Sequence, residues 1–117
     1  MNVIQRAAAE QQAFTAMEQN EFGYETMTTF WADFTIGELV SGINGVKDTF
    51  RRAFAEWKSN VKYLTELVMV LNHKCWYWYQ KNDELSKLYS DLYYEANGYA
   101  YENLEGDDLT YFVDILD

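Results

Sequence analysis

A chain of 117 residues with 49% hydrophobic and 18% aromatic residues has enough apolar bulk for one core, and it lies outside the composition of disordered proteins despite a net charge of −10. The absence of proline and the count of only six glycines remove the strongest loop punctuators and argue against an all-β fold. A single cysteine excludes an internal disulfide and a multi-thiolate metal site, and no stretch approaches the roughly 18–20 apolar residues of a membrane span.

Charge is unevenly spread: residues 1–45 sum to −5, 46–81 to +4 and 82–117 to −9. A basic middle therefore lies between two acidic ends. Residues 2–20, rich in Ala, Gln and Glu, predict a first helix. Its apolar positions Val3, Ala7, Phe14 and Met17 include few large side chains, so it is weakly anchored. The same stretch lacks the unbroken apolar segment of a signal peptide, being interrupted by Glu10, Gln11 and Gln12, so the expectation is a soluble cytoplasmic protein.

Thr26–Thr29 offer capping hydroxyls, and Phe30, Trp31, Phe34, Ile36, Leu39 and Val40 supply apolar bulk for a short helix over 29–40. Gly42-Ile43-Asn44-Gly45 then reads as a turn, because Gly and Asn tolerate the left-handed backbone that ends helices. A Gly-x-x-Gly loop can also clamp a nucleic-acid backbone, but Ile43 and Asn44 bring no basic charge and no alternating strands flank the loop.

From Val46 onward the apolar residues Val46, Phe50, Ala53, Trp57, Val61, Leu64, Val68, Leu71, Cys75 and Trp78 recur at steps of three and four. Ser59 and Asn60 are able to cap a new helix, but the apolar phase crosses them with only one extra four-residue step. The reading favoured is one long central helix over about 46–81, roughly 50 Å in length at 1.5 Å per residue. Its centre, Leu67-Val68-Met69-Val70-Leu71, is apolar all round and should be buried on more than one face. Lys81-Asn82-Asp83 forms a polar break, and Leu85, Leu88, Leu92, Ala96 and Tyr99 predict an antiparallel helix over about 83–101. Its acids are expected to lie beside the basic first arm. Near the C-terminus, Asp107 or Asp108 is placed to cap a last short helix carrying Leu109, Tyr111, Phe112, Val113, Ile115 and Leu116; a strand is the alternative there, disfavoured because the chain offers no second convincing strand to pair with it. The expected fold is therefore all-α, a small helical bundle forming a single domain over 1–117.

The segments Phe30-Trp31-Ala32-Asp33-Phe34, Val46-Lys47-Asp48-Thr49-Phe50, Glu56-Trp57-Lys58 and Tyr63-Leu64-Thr65-Glu66-Leu67-Val68-Met69-Val70-Leu71-Asn72 resemble an uncharacterised family of small helical proteins. That family occurs in gut anaerobes, notably Bacteroidales and some clostridia, partly on phage-like or mobile elements. Leu104-Glu105-Gly106-Asp107-Asp108-Leu109-Thr110-Tyr111-Phe112 resembles it too. The resemblance covers most of the chain after residue 26 and brings no activity or catalytic residue with it.

No catalytic, cofactor or metal constellation emerges. His73 is the only histidine, and positions 69, 70, 76 and 77 around it are Met, Val, Trp and Tyr, so neither a Glu-x-x-His nor a His-Glu-x-x-His site exists. A nucleophilic triad would have to use His73, and nothing in the sequence sets a partner beside it. Cys75 reads as a small hydrophobe on the apolar stripe. Lys47, Arg51, Arg52, Lys58 and Lys62 fall partly on one helical side, but the net charge of −10 repels nucleic acid overall, so no direct nucleic-acid binding is expected.

What remains is aromatic surplus. Trp76-Tyr77-Trp78-Tyr79 points all round a helix, so its members cannot all enter one small core. The aromatic cluster either fills the core or forms an interface; the candidate interface is Trp76, Trp78, Tyr79 and the outward members of Tyr89, Tyr93 and Tyr94, in a non-enzymatic protein-interaction module whose partner is another protein or a second copy in a symmetric homodimer. An acidic protein can alternatively imitate DNA phosphates and occupy a nucleic-acid enzyme, which requires an exposed carboxylate row in residues 83–117.

Overall fold

A computed structural model describes residues 27–116, so the expected helix over 2–20 lies outside the described residues. Among the described residues five helices follow one another: α1 (Met27–Val40), α2 (Gly42–Trp57), α3 (Val61–Trp78), α4 (Asp83–Asn103) and α5 (Gly106–Leu116). Among the described residues there is no strand, as the all-α reading requires. The chain divides into two compact units after Thr49, so the boundary falls inside α2.

In the first unit, α1 buries Phe30, Trp31, Phe34 and Thr35. Phe30 and Phe34 meet edge to face with centroids 4.6 Å apart, and the Thr35 hydroxyl donates to the Trp31 carbonyl at 2.9 Å. The chain then reverses more sharply than the expected four-residue turn. Gly42 alone takes a positive φ of 55°, and the Ser41 N–H closes on the Gly37 carbonyl at 3.0 Å. Ile43, Asn44 and Gly45 are already helical. One αL residue suffices because glycine carries no Cβ to clash there.

The second unit corrects the long central helix. Instead of one rod over 46–81, α2 stops at Trp57 and α3 starts at Val61. Asn60 is extended (φ −120°, ψ 112°) and its side chain accepts the Tyr63 N–H at 3.1 Å, satisfying an amide that a helix start leaves without an intrahelical partner. The break also lets Trp57 stack on Tyr63 at 5.0 Å and 26°. In a continuous helix a six-residue separation would hold these rings on different faces.

Buried on nearly every side from Tyr63 to Leu71, α3 is the spine of this unit, as its all-round apolar centre predicts. It packs against both α4 and α5, and those two pack against each other. Asn82 caps α4 as Asn60 caps α3, accepting the Leu85 N–H at 3.1 Å, and Asp83 and Glu84 occupy the first turn, where the helix dipole favours negative charge. The seam of the α3–α4 hairpin is pinned where the Ser86 hydroxyl donates to the Cys75 carbonyl at 3.1 Å. From α2, Phe54 reaches α4 with its ring 5.2 Å from that of Tyr99. Gly106, with φ 56°, turns the chain into α5, so Asp107 and Asp108 sit in the first turn rather than in the capping position. Phe112 is the anchor of α5, fully buried and edge-on to Tyr101 at 5.6 Å.

Candidate interaction surface

Helical phase sets Thr65, Met69, Asn72, Trp76 and Tyr79 on one stripe of α3 and the residue that follows it, since steps of three and four return to the same side. Thr65 is fully buried, Met69 half-buried and Asn72 exposed; Trp76 is 65% and Tyr79 58% exposed. The stripe therefore runs out of the core and ends in two large rings in the open. These rings lean on each other at 5.4 Å. Beside them Tyr77 and Trp78 meet edge to face at 5.0 Å, and the Lys81 ammonium lies 4.4 Å from the Tyr77 ring centroid while donating to the Tyr77 carbonyl.

The sequence-level candidates separate into three groups. Trp76, Tyr79 and Tyr94 are exposed, with Tyr94 at 68%. Trp78 and Tyr93 are half-buried. Tyr89 is corrected from interface to core: it is 0% exposed, on the side of α4 that also buries Leu85, Leu92 and Ala96. Tyr101, which the candidate set omits, is 55% exposed and stands seven residues after Tyr94 on the same side of α4. Burial, followed by the neighbouring Tyr94 and Tyr101 phenols, raises the Tyr93 pKa above its usual value.

Sequence reasoning also missed an aliphatic patch in the first unit. Ile36, Leu39 and Val40 are exposed on the side of α1 away from Phe30 and Phe34. Their three- and four-residue spacing was the available signal, obscured because α1 is apolar on both sides.

The acidic α4 packs beside α3, which carries the later part of the basic segment, and its carboxylates stay outside the buried seam. Glu84, Asp91, Glu95 and Glu102 are all exposed, and their spacing of seven, four and seven residues draws them into one stripe of α4. The seam is made of Leu85, Ser86, Leu88, Tyr89, Leu92 and Ala96. Asp83 pairs along its own helix with Lys87 at 3.0 Å, a surface contact worth little. On the basic side Arg51, Arg52 and Lys58 are exposed, Lys47 and Lys62 half-buried, and Lys74 buried.

His73 is exposed and Cys75 is half-buried against Ser86, their sulfur and oxygen 3.9 Å apart. Among the described residues, no three His, Cys, Asp or Glu side chains gather as metal ligands, and no helix is long and apolar enough to cross a membrane. The chain matches no protein-family model, no curated protein and no solved structure.

Proposed function

We propose that this chain is a non-enzymatic protein-interaction module that binds a protein partner or a second copy of itself through the end of α3. The emergence of the Thr65–Tyr79 stripe from the core supports this reading most directly. Large exposed aromatic side chains offer wide contact area for few rotatable bonds, which is why they concentrate in binding hot spots. Two-fold pairing would cover Trp76 and Tyr79 on both copies with one contact.

Light scattering and circular dichroism on Trp76→Lys/Tyr79→Lys test the reading together. The expected result is a wild-type dimer and a folded, monomeric variant. A wild-type chain that stays monomeric at high micromolar concentration removes the self-pairing and leaves a different protein as partner. A photo-crosslinker at position 76 that captures nothing in a native lysate then overturns the module itself.

The DNA-mimic reading draws less support from the surface. Glu84 to Glu102 spans about 27 Å of helix and carries four carboxylates in its stripe. A duplex strand places a phosphate about every 3.4 Å, so roughly eight over the same length. The stripe is half as dense as the row it would imitate.

A further inference from the structure

The exposed side of α4 differs in character from the end of α3. Tyr94 and Tyr101 stand one heptad apart, 68% and 55% exposed, and Asp91, Glu95 and Glu102 flank them on the adjoining exposed stripe. Each ring touches a neighbour: Tyr94 meets Tyr93 edge to face at 5.4 Å, and Tyr101 meets buried Phe112 the same way at 5.6 Å. A tyrosine has few rotatable bonds, so it loses little freedom when a ligand lands on it. After Lys87 the sequence contains no cation at all. From Tyr94 onward α4 and α5 thus bring aromatic faces and carboxylates and no cation of their own.

The geometry points to a docking site on α4 for a cationic amphipathic helix of another protein, its Lys or Arg side chains seated over Tyr94 and Tyr101 and paired with Asp91, Glu95 and Glu102. A cation over a tyrosine face gains from the ring quadrupole, and the flanking carboxylates add charge-assisted hydrogen bonds that steer the encounter. A heptad between the two rings matches a helical partner, whose own side chains repeat on one face at that interval. A second copy of this chain is the poorer occupant, because it would bring another net −10 to the same surface. This inference rests on the interaction-module reading and specifies the partner's chemistry.

The test uses the full chain and a dye-labelled synthetic peptide of about 18 residues, long enough as a helix to span the stripe, with Lys and Leu patterned on one face. A scrambled peptide of identical composition is the control. Fluorescence anisotropy at low salt should show the patterned peptide binding more tightly than the scrambled one. Tyr94→Ala/Tyr101→Ala and Glu95→Lys/Glu102→Lys should each weaken it by about tenfold or more, the scale of a lost hot spot. Because Tyr101 touches Phe112, Tyr94→Ala alone, with a circular dichroism spectrum matching wild type, should also weaken binding. Equal binding of both peptides, unchanged binding by the tyrosine variants, or no binding at low salt overturns the inference. Trp76→Lys/Tyr79→Lys should bind the peptide like wild type. Failure of the peptide alongside a wild-type dimer through Trp76 and Tyr79 removes the α4 site and leaves the module standing.

Discussion

Gly45 lies so close to Gly37 that a Cβ built on it would sit 2.7 Å from the Gly37 carbonyl oxygen and 2.8 Å from its Cα. The obstacle is backbone, so it cannot swing aside as a side-chain tip would. In an open helix Gly→Ala stabilises by about 1 kcal/mol, but here overpacking, typically about 1–3 kcal/mol, opposes the gain. Gly45→Ala should therefore destabilise. Gly98, helical and with nothing within 4 Å of its Cβ position, should show the ordinary gain of about 0.5–1 kcal/mol on substitution by Ala. Gly42→Ala should lose about 1 kcal/mol because its φ is 55°. Urea midpoints of the three variants check the order.

The two asparagine caps make matched tests. Asn60→Ala and Asn82→Ala each remove one side-chain acceptor, from Tyr63 N–H and Leu85 N–H respectively. Each should cost about 1 kcal/mol in a denaturant titration. Asn60→Ser or Asn60→Asp, which keep an acceptor, should recover most of it.

Tyr89 and Trp76 should behave as opposites. Tyr89→Ala opens a cavity at a fully buried site and should cost about 3–5 kcal/mol. Trp76→Ala removes a side chain that is 65% exposed and should move stability by no more than about 0.5 kcal/mol. Thermal unfolding at low protein concentration, where self-association does not contribute, separates them.

Alkaline pH should weaken the fold through Tyr93. Its pKa is raised above the ordinary tyrosine value of 10.0 by burial first and by Tyr94 and Tyr101 next, so the folded state holds the phenolic proton more tightly than the unfolded chain. That contribution is complete below the unfolded value and is lost as pH rises through the folded one. Wild type should thus lose stability above pH 10 more steeply than Tyr93→Phe, read as the change in urea midpoint across that range.

How much of this was legible depended on whether the signal was local. The stripe through Leu64, Val68, Leu71 and Cys75, and the second stripe through Leu85, Leu88, Leu92 and Ala96, specify α3, α4 and their buried sides with no outside help. The break at Asn60 was visible as a capping residue, but periodicity outvoted it, because the apolar phase passes the break almost undisturbed. Trp57 on Tyr63 is a contact that a continuous helix forbids, and no window of sequence reports it. The Gly42–Gly45 segment misled for a related reason: one glycine is there for its positive φ and the other for lack of a Cβ against Gly37, two needs that look alike in sequence. In the candidate surface, composition identified the aromatics but could not sort them. Tyr89 and Tyr94 differ only in helical phase, and that phase becomes meaningful once the packed side of α4 is known.

The four tryptophans divide by environment, and the consequence is optical. Trp31 and Trp57 are sealed from solvent, Trp78 is half-covered and Trp76 stands in water. Emission from the first two should lie toward the blue and resist soluble quenchers, whereas Trp76 in a chain with nothing paired at the end of α3 should emit toward the red and quench readily. Anything that settles on the end of α3 will dim or shift the red component while leaving the blue one alone, and anything that loosens the core will do the reverse. The protein thus carries two built-in reporters, one for encounter and one for integrity, and no dye is needed to tell them apart.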